Sequence, residues 1–365
     1  MNTCIFIDKF DAFTTKYLKK LLAELSDEIS TIVSWQEIPK EIREIYNLEF
    51  VIYDNSYLIN SASPKMYSLF FSMLQNRNFE RVIAPRIHFP EYFVLEILSR
   101  NLLQAFSVGF FGLSELLGSP SREYLIAKFL NQNVANKVIL HTIYYQIDDF
   151  EHNIHLKNLL SQICIVSDPI YESPQDYNVP NRSRDYATFN VPTNSIVVTF
   201  FGSMFFGKGL DILLKAFDFL SDNYFLIIAS STKTLNYELD KDKLKGERIL
   251  HLDRFIHEDE VPQIFCASDL LVLPYRNTYI NSTSGVIVQA SLAGKPVLVP
   301  DIRPFGDVVS RFKTGYTFKV EDHVDLARAI VDSDWGSVKR ENHDIFLKSF
   351  DSWSWIAEKY MARGP

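Results

Sequence analysis

Two short stretches hold most of the residues whose chemistry exceeds what building a core requires. The first is GSMFFGKG, where Gly202 and Gly207 loosen a turn and Lys208 opens an amphipathic run, LDILLKAFDFL. The second is NSTSGVIVQASLAGKPV, where Asn281, Ser282, Thr283, Ser284 and Gly285 precede an apolar run that stops at Gly294-Lys295-Pro296. A helix start presents unpaired N–H groups and the positive end of the dipole, so it suits an anion. Small residues let a ligand come close to that backbone, and a lysine adds three donors and a charge. Phosphate is the chemistry both stretches fit. Each also has a plain reading: a glycine-rich turn with a solvated lysine, and a well-capped helix.

GSMFFGKG nearly matches the phosphate loop G-x-x-x-x-G-K-[ST], but Gly209 supplies no hydroxyl for a magnesium ion, and the loop follows a late strand rather than an opening one. That argues against a nucleoside triphosphatase. A third stretch, HLDRFIHEDEVPQIFCASD (251–269), puts Arg254, Phe255 and Ile256 at a strand end, where backbone groups and an aromatic can meet a nucleobase. A solvated arginine beside a core phenylalanine fits the same pattern.

The elements that must position these loops alternate between short apolar runs and longer amphipathic ones, the sign of parallel sheets covered by helices. Candidate strands are 3–7, 30–34, 49–54, 80–84, 105–110 and 163–168, then 195–201, 224–230, 248–252, 269–275 and 295–300. Helical patterns include 14–25 and 119–130, the latter opening on Ser119-Pro120. Between the two series, residues 168–195 are rich in Pro, Asn, Ser and Asp without periodicity. The expected organisation is a first Rossmann-like domain over 1–172, a linker over 173–194, a second over 195–348, and a closing segment over 349–365. Ligands of such sheets sit at the carboxyl ends of the strands. A crossover from DLLVLPY to KPVLVP would set Ser284, Gly285 and Val286 beside the Gly202–Lys208 loop, and two facing phosphate loops suit a diphosphate.

Composition narrows the class. With 365 residues, 47% hydrophobic and 22% charged, the chain is ordinary globular protein of two-domain size. Its net charge of −8, with basic residues scattered, argues against a nucleic-acid partner. Cys4, Cys164 and Cys266 form neither a disulfide framework nor a zinc spacing. The start carries Asp8 and no basic region typical of a signal peptide, and a reducing cytoplasm is the default expectation.

The run GSMFFGKG…LLKAF, then RFI…VPQIFCASDLLVLPY, then SGVIVQASLAGKPVLV…GYTF resembles the nucleotide-binding domain of GT-B glycosyltransferases, most nearly the retaining family 4. The resemblance covers roughly 163–362 and includes FDSWSWIAEKYMA, similar to the family's closing helix that returns to the first domain. It implies an α/β fold of two Rossmann-like doubly wound domains. It also implies transfer of a sugar from a nucleotide-diphosphate sugar without a metal or other cofactor. Lys208 would meet the diphosphate, with Ser284, Gly285 and Val286 offering N–H groups to it. Arg254, Phe255 and Ile256 would border the base, and Gly202 would shape the first loop.

Four positions depart from the family pattern. Ser203 stands where an arginine is usual, Asn281 and Gln289 where two glutamates are, and Ser284 where a glycine is. Gln289 can still bond ribose hydroxyls and Asn281 a sugar hydroxyl. Arg276 is a candidate replacement cation. In the first half, His88 could face the sugar, although a hydrogen-bonded structural histidine fits as well; Phe111 stands where a histidine is expected. The helix with Lys16, Lys19 and Lys20 could touch an anionic membrane surface, or be a solvated face. The expectation is a cytoplasmic transferase acting on a polysaccharide, glycolipid or similar acceptor, with retention. Lys208, Asn281 and His88 would be its catalytic residues. The alternative is an inactive homologue that binds a nucleotide sugar or a partner transferase and regulates it.

Overall fold

A computed structural model describes residues 2–10, 12–52, 64–87, 90–100, 102, 104–116, 119–133, 135–142, 154–167, 170–172, 174–177 and 189–362. The chain divides into two compact units, Met1–Tyr171 with Asp351–Pro365, and Glu172–Phe350. Most of the expected 173–194 linker lies outside the described residues. Within it, Pro174–Tyr177 is a short 3-10 turn whose Tyr177 carbonyl accepts from Cys266 Sγ in the second unit.

The first unit holds seven strands: β1 (Thr3–Ile7), β2 (Ile29–Ser34), β3 (Glu49–Ile52), β4 (Arg81–Ala84), β5 (Ala105–Phe111), β6 (Lys137–Thr142) and β7 (Cys164–Ser167). They form one parallel sheet in the order β3-β2-β1-β4-β5-β6-β7, with Ile5 opposite Ile32 and Ile83. The central strands are buried along their whole length, so their alternate side chains feed two cores, one on each face. One core is aromatic, with Phe6 stacked on Phe70 at 4.0 Å between centroids. Eight phenylalanines, Phe6, Phe70, Phe71, Phe79, Phe93, Phe106, Phe110 and Phe129, sit there.

Helix α1 (Ala12–Leu25) covers the other face together with α2 (Trp353–Met361), the last helix of the chain. Ser352 caps α2 by accepting from Trp355 N–H. Four polar ties hold this segment to its unit. Asp351 accepts from Ser167 N–H at 2.7 Å, Trp353 Nε1 donates to Ile170 O, Arg81 Nη1 donates to Tyr360 O, and Tyr360 Oη meets His141 Nε2 at 3.0 Å. His141 is fully buried and stacks on Phe111 at 4.4 Å, and burial pushes its pKa down to about 3. Its place is structural.

The second unit holds β8 (Ile196–Phe201), β9 (Tyr224–Ala229), β10 (Ile249–Leu252), β11 (Leu270–Val272), β12 (Val297–Pro300) and β13 (Gly315–Phe318). All are parallel, in the order β10-β9-β8-β11-β12-β13. The chain runs outward from β8 in one direction, then returns to place β11 on the other side of β8. That reversal opens a crevice above the carboxyl ends of these two strands. Two strands, β6 and β13, were absent from the candidate set. Among the described residues no helix is long and apolar enough to cross a membrane.

Candidate functional site

The crevice above β8 and β11 is built from the two loops that leave those strands. After β8, Gly202 turns at φ 111° and its N–H bonds back to Ala229 O. The loop is then pinned from the β9 side, as Met204 N–H donates to Thr234 Oγ1 and Phe206 N–H to Asn236 Oδ1, both at 2.8 Å. Phe206–Lys208 makes one 3-10 turn, and Gly209 at φ 67° starts helix Leu210–Phe217. No other residue fits at 209: a Cβ there would lie 1.9 Å from Pro274 O, in the loop after β11. Arg276 N–H also donates to Gly207 O at 3.0 Å, so the two loops are laced backbone to backbone.

That lacing fixes Lys208. Its side chain is only 8% exposed, and its ammonium donates to Tyr275 Oη at 3.0 Å. The same nitrogen lies 4.2 Å from the Tyr275 ring centroid, 4.6 Å from that of Tyr279 and 5.7 Å from that of Phe205. Among the described residues no carboxylate pairs with it. Tyr275 is itself buried and reaches Ser284 Oγ at 2.7 Å. Ser284 precedes helix Gly285–Leu292 in the N-cap position, yet its side chain does not cap that helix. Before the first turn, Gly285 faces open space. Lys208, Ser284, Gly285 and the crevice therefore come together, as two facing phosphate loops require.

Other expected residues fall differently. Arg276 is no spare cation. Its Nη2 forks onto Asp211 at 2.8 and 2.7 Å, its Nη1 lies 3.7 Å from Glu321, and its guanidinium stacks 4.0 Å over Phe206. It clamps the loop and has no charge to spare for a ligand, which corrects the expectation that it replaces the missing arginine. Gln289 donates through Nε2 to Glu172 Oε1 at 3.0 Å, so a carboxylate stands beside the amide although position 289 has none. Asn281 sits at φ 61° with its backbone N–H on Arg303 O, and its amide makes no bond among the described residues. Ser203 is half-buried on the same loop as Gly202.

At the end of β10, Arg254 pairs with Glu260 at 2.7 Å, and this bond holds the glutamate pKa down to about 2. Phe255 is 65% exposed, with only the His257 ring edge-on to it at 5.7 Å among the described residues, while Ile256 is buried. The core-phenylalanine reading thus fails and an exposed aromatic platform remains. Val286 lies in the first turn of its helix, half-buried. His88 lies outside the described residues. No group of three or more His, Cys, Asp or Glu side chains that could hold a metal ion occurs among the described residues.

Tyr275 was the residue that local pattern missed. It reads as the polar end of a strand, and its partners are 67 residues upstream and 9 downstream. Only the adjacency of β8 and β11 brings the three together.

Comparison with known proteins agrees with this architecture. Residues 195–333 match the family model described as glycosyl transferases group 1. No curated protein matches the chain. Among solved structures, a glycosyltransferase from Rickettsia africae superposes with a TM-score of 0.71 at 14% identity, covering 99% of this chain and 98% of that one. HepE from Anabaena, in complex with UDP, has a TM-score of 0.71 at 14% identity, covering 99% of both chains. Sucrose-phosphate synthase from Thermosynechococcus elongatus has a TM-score of 0.68 at 13% identity, covering 98% and 97%. The chain has the GT-B fold of glycosyltransferases, and its second unit carries the group 1 match.

Proposed function

We propose that this protein is a retaining glycosyltransferase that takes a sugar from a nucleotide-diphosphate donor and passes it to a saccharide or glycolipid acceptor. The observation that carries the reading is Lys208, an ammonium sunk among aromatic faces that has, among the described residues, one neutral oxygen and no carboxylate. A buried cation held this way is costly without a counter-charge, and an incoming diphosphate supplies one. The first turn of helix Gly285–Leu292, uncapped by any side chain, offers N–H groups to the same anion.

In the reaction the bond from the sugar anomeric carbon to the terminal phosphate oxygen breaks, and the acceptor oxygen bonds to that carbon on the same face. The acceptor proton passes to the departing phosphate. Negative charge grows on the diphosphate as this happens, and Lys208 with the helix start stabilises it there, the role metal ions fill in other transferases. Asn281 would bond a sugar hydroxyl, Gln289 with Glu172 the ribose, and Phe255 would stack on the base. HepE was crystallised with UDP and with UDP-glucose, which makes uridine donors the first to try.

The test is thermal unfolding with UDP, GDP, ADP, CDP and TDP and their sugar conjugates, followed by nucleotide release with candidate acceptors. At a hundred times its dissociation constant a ligand stabilises by about 2.7 kcal/mol. At roughly 2–4 °C per kcal/mol that is a rise of several degrees. One base should give the shift, and its sugar conjugate should turn over with an acceptor. No shift with any nucleotide would overturn the reading. The anomeric configuration of the product, read by NMR, decides retention.

A further inference from the structure

The hydrogens of the Lys208–Tyr275–Ser284 trio can be assigned by elimination. An ammonium has donors and no acceptor, so the 3.0 Å bond runs from Lys208 Nζ to Tyr275 Oη. Burial raises the tyrosine pKa above its ordinary value, with the Ser284 bond opposing, so the phenol keeps its proton. That proton has one acceptor within reach, Ser284 Oγ at 2.7 Å. The serine oxygen is therefore occupied from the tyrosine side, and its own hydrogen is left to point elsewhere. That oxygen accepts nothing from the helix backbone, because Ser284 makes no side-chain cap. Serine at an N-cap normally does make that bond. Here it has been exchanged for the tyrosine.

We infer that Tyr275 is a positioning residue: by accepting from Lys208 and donating to Ser284 it aligns both as donors toward one diphosphate oxygen cluster. This rests on the nucleotide-diphosphate reading above. All hydrogens in the chain run in one direction, from the charge through the phenol to the serine, and each bond polarises the next. Lys208 keeps two further N–H donors, and Gly285 leaves the space before the helix open. This corner thus offers the ligand the Lys208 ammonium, the Ser284 hydroxyl and the N–H groups of the helix start, each of them a donor. It selects a fully ionised phosphate over a neutral or protonated group, which would need an acceptor in return.

The experiment is calorimetry of Tyr275→Phe, Ser284→Ala and the double variant with three probes: UDP, uridine and inorganic pyrophosphate. Pyrophosphate reports on the site whatever base the donor carries. Tyr275→Phe is expected to weaken UDP and pyrophosphate about tenfold to a hundredfold, the range for a charge-linked hydrogen bond. Uridine affinity should stay within about twofold, the spread ordinary for changes that touch no ligand contact. Because Tyr275 acts through Lys208 and Ser284, the double variant should lose no more than the larger single loss. Unchanged UDP affinity in Tyr275→Phe, equal loss of uridine and UDP, or additive losses would each overturn the inference while leaving the functional reading in place. Wild-type protein that binds neither UDP nor pyrophosphate would overturn both. Should Tyr275→Phe fail to fold, Ser284→Ala carries the test alone, and undiminished pyrophosphate binding there sinks the proposal.

Discussion

Replacing Lys208 by methionine separates a ligand-binding lysine from a structural one, because the two predict opposite effects on stability. The side chain is 8% exposed, and moving an ammonium into such surroundings costs several kcal/mol. Against that stand one bond to the Tyr275 hydroxyl at 3.0 Å, and ring faces at 4.2 and 4.6 Å. A charged hydrogen bond contributes about 1.5–3 kcal/mol, and a desolvated cation–π contact about 2 kcal/mol. The terms nearly cancel. Methionine keeps the length of the stem and packs well on aromatic edges, so the unliganded variant should melt within about 3 °C of wild type or above it, roughly 1 kcal/mol at this size.

The liganded protein should behave otherwise. Losing an ammonium from a diphosphate is worth about 2–3 kcal/mol, or roughly thirtyfold to 150-fold in affinity. Turnover should fall further, by about 10²–10³, because the charge on the leaving group is greatest in the transition state. Differential scanning calorimetry with and without saturating nucleotide reads both effects from one sample. A variant whose unliganded melting point drops by more than about 6 °C, some 2 kcal/mol or more, while its nucleotide-induced shift survives would show that Lys208 supports the fold, and the site assignment would be wrong.

Three further perturbations distinguish roles that look alike on the surface. Arg276→Ala breaks the partly buried fork on Asp211, and it should destabilise the second unit by about 2 kcal/mol while changing pyrophosphate affinity less than about threefold. A loss matching that of Lys208→Met in titration calorimetry would make Arg276 a ligand after all. Phe255→Ala removes an exposed ring, so stability should move by no more than about 0.5 kcal/mol. Nucleotide affinity should fall about fivefold to a hundredfold as stacking is lost, with pyrophosphate binding intact; equal binding of nucleotide by the variant would place the base elsewhere. Acidification tests the two buried histidines. Desolvation holds His141 at about 3 and His343 at about 4. The unfolded chain therefore takes up protons first as pH falls through about 6.5, and each histidine costs about 2 kcal/mol of stability by pH 5. Urea unfolding at pH 7 and pH 5 should show this slope reduced by about 2 kcal/mol in His141→Gln, and an unaltered slope would mean the imidazole takes up its proton as readily in the fold as in the unfolded chain.

Local patterns carried the strands because a strand buried on both faces is a short apolar run whatever surrounds it. β1 and β8 were legible for that reason. β13 was not: it is an edge strand of four residues, GYTF, with a glycine whose Cβ would meet Val297 O at 1.9 Å, so its identity depends on the neighbour. β6 is interrupted at the pattern level by His141, a polar residue tolerated at 0% exposure only because Tyr17 and Tyr360 meet its ring from 124 and 219 residues away. The same limit applies to the site. The glycines and Lys208 announce a loop that can hold phosphate, since backbone freedom and charge are local properties. Whether Arg276 is free or clamped depends on Asp211, 65 residues earlier, and nothing in LPYRNTY signals it.

The placement of carboxylates gives the four departures a common logic. The protein is acidic overall, at −8, so a site for a diphosphate must be screened from its own chain. Asp211, beside the first loop, is paired with Arg276 at 2.7 Å and lies 4.0 Å from Lys215, while Glu321 lies 3.7 Å from Arg276. Glu172 is engaged by the Gln289 amide. With asparagine at 281, glutamine at 289 and serines at 203 and 284, the loops themselves add no negative charge. Lys208 then acts with no carboxylate on either loop against it, and in low dielectric one unopposed charge counts for more than two that are partly cancelled. Restoring glutamate at 281 would test that balance: in the proposed reading it returns a repulsion of about 1–2 kcal/mol, some fivefold to thirtyfold in diphosphate affinity. Tighter binding by Asn281→Glu would show instead that the sugar hydroxyl, not the phosphate, governs this position.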